Sequence, residues 1–230
     1  MTEQLASPSG LTISYREWGR ADGPVAILLH GLTSDGSNWD LVGPRIGERF
    51  RVVAPDARGH GDSDWAEDYS FAAQSDDVLA LMDGLGVLAA AVIGHSMGAL
   101  TAYLLAATHP DRVRALVLED PPPPVPADPP RELPSGPEPG ERTDWRAEFQ
   151  VLSWRNNPDP TWADYEERIV CQTLVVGGLR SHLPQIRMRK LADRLARGRY
   201  VRLDTGHEVH GERPGEFSAV VQPFLDEAIR

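Results

Sequence analysis

The chain reads AAVIGHSMGALTAYLLAAT from Ala90 to Thr108, and this stretch decides the fold. Its apolar run at 90–93 predicts a buried strand, and residues 97–109 have the spacing of a helix. Ser96 stands at the corner between the two, within Gly94-His95-Ser96-Met97-Gly98. A serine at so sharp a turn takes a strained backbone conformation, and small neighbours let the strand and the helix approach each other. The pattern therefore predicts an exposed serine hydroxyl at the start of a helix.

The rest of the chain repeats this alternation of apolar runs and helical segments. Further buried strands are predicted at 25–29, 52–54, 115–118, 173–176 and 200–203, and further helices at 71–85, 184–197 and 214–229. Such an alternation predicts an α/β protein with a mostly parallel central sheet and helices on both faces. Residues 11–18 instead alternate apolar and polar side chains, which predicts a half-exposed antiparallel strand at the edge of the sheet.

Residues 121–140 interrupt this rhythm, because they hold ten of the twenty prolines of the chain. Proline lacks a backbone donor and fixes φ, so neither a helix nor a central strand is expected there. Two short amphipathic stretches rich in aromatic residues follow before residue 170. We interpret 121–170 as a small cap insertion over the C-terminal edge of the sheet, and 1–120 with 171–230 as the core. A disordered linker between two domains is the alternative, and the aromatic residues disfavour it.

The composition restricts the classes of partner. The 230 residues include 41% hydrophobic and 25% charged residues, with a formal net charge of −11. We therefore expect a folded protein with no nucleic-acid partner and no membrane partner, since phosphates and anionic lipids would repel it. The N-terminus has no signal pattern, and no apolar run approaches roughly 18 residues, which predicts a cytoplasmic protein. No disulfide can form within the chain, because Cys171 is the single cysteine. No metal-ligand cluster or dinucleotide fingerprint is present, so no metal or other cofactor is expected.

A second motif, His30-Gly31-Leu32, follows the predicted strand at 25–29. Together with the glycine-flanked Ser96 it resembles the α/β-hydrolase superfamily, in its serine-nucleophile branch, and the resemblance extends over nearly the whole chain. It implies an α/β-hydrolase fold in which Ser96 is the nucleophile and the backbone N–H groups of Leu32 and Met97 form an oxyanion hole. It also implies that His207, which precedes the last helix, is the general base.

The resemblance leaves the acidic member of a catalytic triad less obvious. The commonest pattern of the family places an aspartate in the loop after the strand at 173–176, where this chain has Ser181. A minority of members, including some small carboxylesterases, carries the acid one strand earlier, and here Glu119 and Asp120 occupy that place. Similarity to those members implies Asp120 as the triad acid, and Glu119 is the alternative.

These residues together predict a serine hydrolase, either a carboxylesterase or a lactonase, that cleaves a small and largely apolar acyl substrate through an acyl-enzyme. Aromatic side chains of the insertion are expected to line the substrate pocket; these are Trp145, Phe149, Trp154 and Trp162. Exposed aromatic residues there are also compatible with a homodimer. Two other functions stay open. One is a specialised reaction of the same fold, such as carbon–carbon bond hydrolysis, perhydrolysis or a cyclase-type step, and the other is a non-catalytic ligand receptor.

Overall fold

A computed structural model describes residues 2–6, 10–138 and 140–229. The description leaves out Met1, Ser7 to Ser9 and Arg230, which belong to the predicted core, and Pro139, which belongs to the predicted insertion. The described residues form one eight-stranded sheet in the order β1-β2-β4-β3-β5-β6-β7-β8. The strands are β1 (Thr2–Ala6), β2 (Thr12–Gly19), β3 (Val25–Leu29), β4 (Arg51–Pro55), β5 (Ala90–His95), β6 (Val113–Glu119), β7 (Gln172–Gly178) and β8 (Gly198–Leu203).

The six strands from β3 to β8 are parallel to one another, and β1 and β2 pair antiparallel at one side. The predicted mostly parallel sheet is confirmed. The prediction that residues 11–18 form an edge strand is wrong in its position: β2 is antiparallel, but it lies inside the sheet. The reason is β1, which pairs along its outer side with Glu3 opposite Tyr15 and Leu5 opposite Ile13. The sequence of β1, TEQLA, has no strand periodicity that would have revealed it.

Helices cover both faces of this sheet, as the alternation predicted. They are α1 (Gly43–Ile46), α2 (Phe71–Gly84), α3 (Met97–Thr108), α4 (Trp145–Asn156), α5 (Gln185–Arg194), α6 (Val209–Glu212) and α7 (Pro214–Ala228), with 3₁₀ helices at Gly36–Trp39 and Pro160–Arg168. Ile27 and Leu29 of β3 join a core with α2, α3 and α5, whereas Ala26 and Leu28 join a core with α1, α6 and α7. In the described part of the chain, none of the helices has the length and apolar character needed to cross a membrane.

Two predicted elements differ from those in the structure near the far edge of the sheet. Helix α5 ends at Arg194 rather than at residue 197, because the chain must turn tightly into β8. A Cβ on Gly198 would collide with the Ala192 carbonyl oxygen, so the turn depends on a glycine. Strand β8 was predicted to be buried, but most of its side chains are half-buried or exposed. It is the outer strand and has only β7 as a neighbour.

The segment between β6 and β7 packs on the core through aromatic rings. The ring of Trp162 lies 5.3 Å from that of Phe71 and 4.7 Å from that of Trp154. The Tyr103 hydroxyl of α3 donates to the Trp162 carbonyl at 2.7 Å. These contacts bury Trp162 against α2 and α3. The division of residues 121–170 from the core as a separate cap stays a prediction.

Strand β5 and helix α3 meet at Ser96 at a distance that glycine permits. A Cβ on Gly94 would collide with the carbonyl oxygen of Gly98, and a Cβ on Gly98 would collide with the carbonyl oxygen of Leu29. The N–H of Gly98 donates to the His30 carbonyl at 3.1 Å. The two glycines therefore bring the start of α3 against the loop that follows β3.

We expect Gly94→Ala to lower the free energy of unfolding by about 2 kcal/mol or more, because the added methyl group must push α3 away from β5. Gly215→Ala in α7 is the matched control, since a Cβ there meets nothing within 4 Å and alanine is the better helix former. Urea denaturation of both variants and the wild type measures the difference. Equal midpoints for Gly94→Ala and the wild type would contradict the close approach.

Candidate active site

Ser96 joins β5 to α3 with backbone angles that few residues other than glycine adopt, φ 51° and ψ −111°. Its N–H donates to the Glu119 carbonyl at 3.0 Å, which extends the pairing of β5 and β6 by one residue. Helix α3 begins at the next residue, Met97. The Ser96 side chain therefore stands at the positive end of a buried helix of 12 residues.

Two backbone N–H groups beside Ser96 have no acceptor within the described residues. One belongs to Met97 at the first position of α3, and the other belongs to Leu32 in the loop after β3. Thr33, the next residue of that loop, has a φ of 63°. Leu32, Ser96 and Met97 line the same cavity. Both of the donors predicted for an oxyanion hole thus belong to residues in the wall of the space next to the serine.

His207 lies in the loop after β8, and its ring reaches Ser96. The distance from His207 Nε2 to Ser96 Oγ is 2.9 Å. His95 Nε2 lies 3.1 Å from the carbonyl oxygen of His207, to which it donates. At the end of β7, a Cβ on Gly178 would collide with the carbonyl oxygen of Gly206. This close backbone contact holds the His207 loop against the sheet. The His207 side chain remains 28% exposed.

Asp120 follows β6 with a φ of 43° and is fully buried. Its Oδ2 lies 2.6 Å from His207 Nδ1 and also accepts a hydrogen bond from the Ser181 hydroxyl. Its Oδ1 accepts from the N–H of Gly178 at 3.1 Å and from Nε2 of Gln185 at 3.2 Å. Ser181, which stands in the usual place of the acid, is thus a donor to an acid from the neighbouring strand. The structure brings Ser96, His207 and Asp120 into one hydrogen-bonded chain.

Glu119, the alternative acid, is directed to a different histidine. Its buried carboxylate accepts from the N–H of His210 at 2.9 Å and lies 2.8 Å from His210 Nδ1. On the other side of the ring, His210 Nε2 lies 2.9 Å from Asn38 Oδ1. The ring stacks on Trp39 with 3.9 Å between centroids. Glu119 therefore binds His210 and not His207.

Opposite charge favours the ionised form of both members of this pair. Burial by itself would raise the pKa of Glu119, but the positive charge of His210, with its hydrogen bonds, outweighs burial and lowers that pKa. Burial by itself would lower the pKa of His210, but the carboxylate of Glu119 outweighs it and raises that pKa. A buried ion pair therefore lies directly behind the Ser96, His207 and Asp120 chain.

Two further histidines beside the site are neutral at neutral pH. Burial lowers the pKa of His30 to about 4 and that of His95 to about 4. The N–H of Ala57 donates to His30 Nε2 at 2.9 Å, so Nδ1 carries the proton and donates to the Gly31 carbonyl at 2.7 Å. These rings act as fixed hydrogen-bonding groups that hold the backbone of the surrounding loops.

A cavity of about 150 Å³ opens beside Ser96 and His207. The cationic part of its wall consists of Arg131 and Arg155. His182 also lies in the wall, and burial together with nearby positive charge lowers the pKa of its ring. The apolar part consists of Leu32, Met97, Leu100, Pro122, Val151, Leu152 and Leu183. A group bound to Ser96 would lie in this space.

The four aromatic residues predicted to bind substrate do not line this cavity. Trp154 and Trp162 pack against Phe71 instead, with 5.2 Å and 5.3 Å between ring centroids. Trp145 contacts Phe149, and 43% of Phe149 is exposed. The physical reason is that another face of α4, which carries Val151, Leu152 and Arg155, is turned toward Ser96. The aromatic content of the insertion indicated burial, but it did not indicate which face would meet the site.

Sequence reasoning missed the groups that hold Asp120 on the side away from His207. Ser181 was noted only for the acid it replaces, although a hydroxyl in that loop is a donor that an acid on the neighbouring strand can use. Gln185 carried no signal at all. Arg155 resembles an ordinary surface charge in the sequence. Within the described residues, no three His, Cys, Asp or Glu side chains form a group that could hold a metal ion.

Comparisons with known proteins agree on the architecture. A sequence model of the alpha/beta hydrolase fold matches residues 24–138. The sn-1-specific diacylglycerol lipase ABHD11 of Mus musculus is 40% identical over 104 residues, which are 44% of this chain and 34% of that protein. This chain spans well under half the length of the curated relatives it matches.

Two solved structures cover almost the whole chain. A hydrolase from Pseudomonas aeruginosa has 26% sequence identity and a TM-score of 0.86, and the match covers 97% of this chain and 98% of that one. The enol-lactonase from Burkholderia xenovorans also has 26% identity, with a TM-score of 0.84 and coverage of 97% and 100%. The similarity therefore includes the insertion as well as the sheet.

We expect Glu119→Gln to lower the free energy of unfolding by about 3 kcal/mol, because it leaves the His210 imidazole buried without its counter-charge. The loss is largest between pH 4.5 and pH 6.5, the ordinary pKa values of the two groups. Because folding lowers the pKa of Glu119, this carboxylate stabilises the fold fully at pH values above 4.5. Because folding raises the pKa of His210, this imidazolium stabilises the fold fully at pH values below 6.5. The contribution is lost at lower pH as Glu119 binds a proton, and at higher pH as His210 releases one.

Urea denaturation across a pH series measures this window. Glu208→Gln is the matched control, because Glu208 lies 3.9 Å from His210 Nε2 but has 49% of its side chain exposed. A loss in Glu119→Gln that does not vary with pH would show that the pair is not ionised.

Proposed function

This chain belongs to the α/β-hydrolase fold family, and we propose that it is a serine hydrolase that cleaves an ester or a lactone through an acyl-enzyme. The hydrogen-bonded chain from Ser96 through His207 to Asp120 carries the proposal. A serine hydroxyl is a weak nucleophile until a base removes its proton. His207 Nε2 is within hydrogen-bond distance of that hydroxyl. Asp120, on the opposite nitrogen, favours the tautomer whose Nε2 can accept the proton.

In the first half of the reaction, Ser96 Oγ attacks the carbonyl carbon of the substrate while His207 Nε2 takes its proton. The carbonyl oxygen becomes an oxyanion, which the N–H groups of Leu32 and Met97 stabilise. The positive end of α3 adds to this stabilisation. The bond from the carbonyl carbon to the leaving oxygen then breaks. His207 returns its proton to that oxygen, and the acyl group stays on Ser96.

In the second half, water replaces the leaving group. His207 removes a proton from this water as its oxygen attacks the acyl carbon, and the same two N–H groups hold the second oxyanion. The ester bond to Ser96 breaks, and the proton on His207 returns to Oγ. Asp120 keeps its negative charge throughout and stabilises the imidazolium that forms in each half.

The relatives support oxygen esters and lactones as the substrate class. One of them is named a diacylglycerol lipase, and a structural neighbour is named an enol-lactonase. Both names describe attack on an acyl carbon with loss of an oxygen leaving group, which is the chemistry derived above. The cavity of about 150 Å³ suits a small acyl or alcohol group.

We expect a fluorophosphonate probe to add once to the protein, as measured by intact mass, because its phosphorus reacts with the activated Ser96 hydroxyl. Ser96→Ala removes the adduct, and Ser153→Ala, a serine on α4 outside the cavity, keeps it. Turnover of a panel of para-nitrophenyl esters and lactones should also disappear in Ser96→Ala alone. Absent labelling together with tight small-molecule binding would instead support a receptor. Labelling without turnover of either panel would support a specialised reaction.

We expect Asp120→Asn to lower kcat by roughly 10³- to 10⁴-fold, because an asparagine amide at that position favours the wrong tautomer of His207. Ser181→Ala should lower kcat far less, since it removes one donor to the carboxylate and leaves the carboxylate in place. Steady-state kinetics with a para-nitrophenyl ester compare the two variants, and melting temperatures show that both are folded. Wild-type turnover in a folded Asp120→Asn protein would reject Asp120 as the triad acid.

A further inference from the structure

The cavity beside Ser96 is cationic in a protein that is otherwise acidic. Arg131 and Arg155 belong to its wall, and none of the residues that line it in the described part of the chain is a glutamate or an aspartate. The formal net charge of the whole chain is −11. The charge next to the serine is therefore opposite in sign to the net charge of the chain.

Arg155 is buried without a counter-ion. Only 8% of the residue is exposed, and its Nη1 donates to the Pro123 carbonyl at 3.0 Å. No carboxylate within the described residues forms an ion pair with it. Burial, together with the nearby charge of Arg131, lowers the pKa of Arg155 to about 10. Removing a guanidinium from water costs several kcal/mol unless an opposite charge compensates it.

Arg58 shows how this fold treats a buried arginine elsewhere. It is exposed to 7%, and it donates to both carboxylate oxygens of Asp77 at 2.6 Å and 2.8 Å. Arg58 and Arg155 are the two buried arginines among the described residues. Arg58 has a bidentate carboxylate partner from the protein, whereas Arg155 faces the cavity of the candidate active site.

The backbone holds Arg131 next to Arg155 in spite of their like charges. The N–H of Arg131 donates to Asn156 Oδ1 at 2.7 Å, and Asn156 Nδ2 donates to the Arg131 carbonyl at 2.9 Å. Asn156 is the residue after Arg155 at the end of α4. These two bonds fasten the proline-rich segment to the helix, and they place an exposed arginine at the rim of the cavity above a buried one.

We propose that Arg155, with Arg131 at the rim, binds a carboxylate of the substrate, so that the protein acts on an ester or lactone that carries a free carboxylate. This step rests on the hydrolase function proposed above. A guanidinium presents two parallel N–H donors that match the two oxygens of a carboxylate. The bound substrate would supply the counter-ion that Arg155 lacks. This proposal changes the expectation from the sequence: instead of a largely apolar substrate, we expect one with an apolar part and an anionic part.

The test compares two pairs of substrates, each consisting of a free carboxylate and its uncharged methyl ester. One pair places the charge on the acyl side: para-nitrophenyl hydrogen glutarate and its methyl ester. The other pair places it on the leaving group: para-acetoxybenzoate and its methyl ester. We expect the wild type to prefer the charged member of at least one pair by roughly tenfold or more in kcat/KM, as one charge-assisted bidentate contact can supply. Added sodium chloride should weaken the part of this preference that comes from the exposed Arg131.

Four variants assign the preference to a residue. Arg155→Gln should reduce it by roughly tenfold, and Arg131→Gln by less, because Arg131 is exposed to solvent. Arg168→Gln is the matched control. It removes the same charge from the same insertion, at an exposed arginine that lies 5.2 Å over the Tyr165 ring outside the cavity, and it should leave the preference unchanged. Arg155→Lys keeps the charge and should keep part of the preference if Arg155→Gln does not fold.

The outcomes separate this proposal from the hydrolase proposal. Absence of a charge preference on both pairs, or a preference that survives in both Arg155→Gln and Arg131→Gln, overturns the carboxylate subsite while turnover of the methyl esters upholds the hydrolase. If no ester is turned over, the hydrolase proposal fails, and titration calorimetry of para-acetoxybenzoate into Ser96→Ala still tests the subsite. Binding that Arg155→Gln weakens supports the subsite, and equal binding or none rejects it.

Discussion

A carboxylate removed from water must be surrounded by hydrogen-bond donors, and the arrangement around Ser96 depends on how this protein meets that requirement at Asp120. The donors come from three separate places: the backbone at the end of β7, the loop and helix that follow it, and the loop after β8. Each loop is fixed by its contact with one buried charge. The imidazole of His207 is thereby oriented before any substrate is present, as a preorganised base needs to be.

The neighbouring residue, Glu119, is also a buried carboxylate that needs donors, and it finds them on the other side of the strand at His210. Successive side chains near the end of a strand point to opposite sides, so Glu119 enters the interior behind the site while Asp120 faces His207. Its partner His210 is clamped between Asn38 and Trp39, which ties the 3₁₀ helix at Gly36–Trp39 to α6. The two adjacent acids thus have different roles. Asp120 orients the imidazole of His207, and Glu119 holds His210 against Asn38 and Trp39 behind it.

Much of the sheet could be predicted because its parallel strands are buried on both faces and appear as uninterrupted apolar runs. Ser96 could be placed because its motif lies at the end of such a strand. His207 follows the outer strand β8, and it could be placed only through the resemblance to the family. Strand β1 escaped notice because an edge strand needs no apolar period. The face of α4 that meets the cavity escaped notice because aromatic and charged residues occupy both sides of that helix. The proposed role of Arg155 depends on its burial beside the cavity and on the absence of a carboxylate near it among the described residues. Neither feature can be deduced from the spacing of residues along the chain.

Three non-glycine residues in the described part of the chain have positive φ, namely Thr33, Ser96 and Asp120, and each lies in a different loop of the site. Backbone strain of this kind costs about 1–3 kcal/mol per residue. The strain limits how the protein could be stabilised by substitution. Glycine or asparagine at these positions would relieve the strain, because glycine adopts positive φ more readily than threonine, serine or aspartate, and asparagine more readily than threonine or serine. At Ser96 and Asp120, a glycine that relieved the strain would remove the proposed nucleophile or the proposed triad acid, so a more stable backbone and the proposed activity exclude each other there.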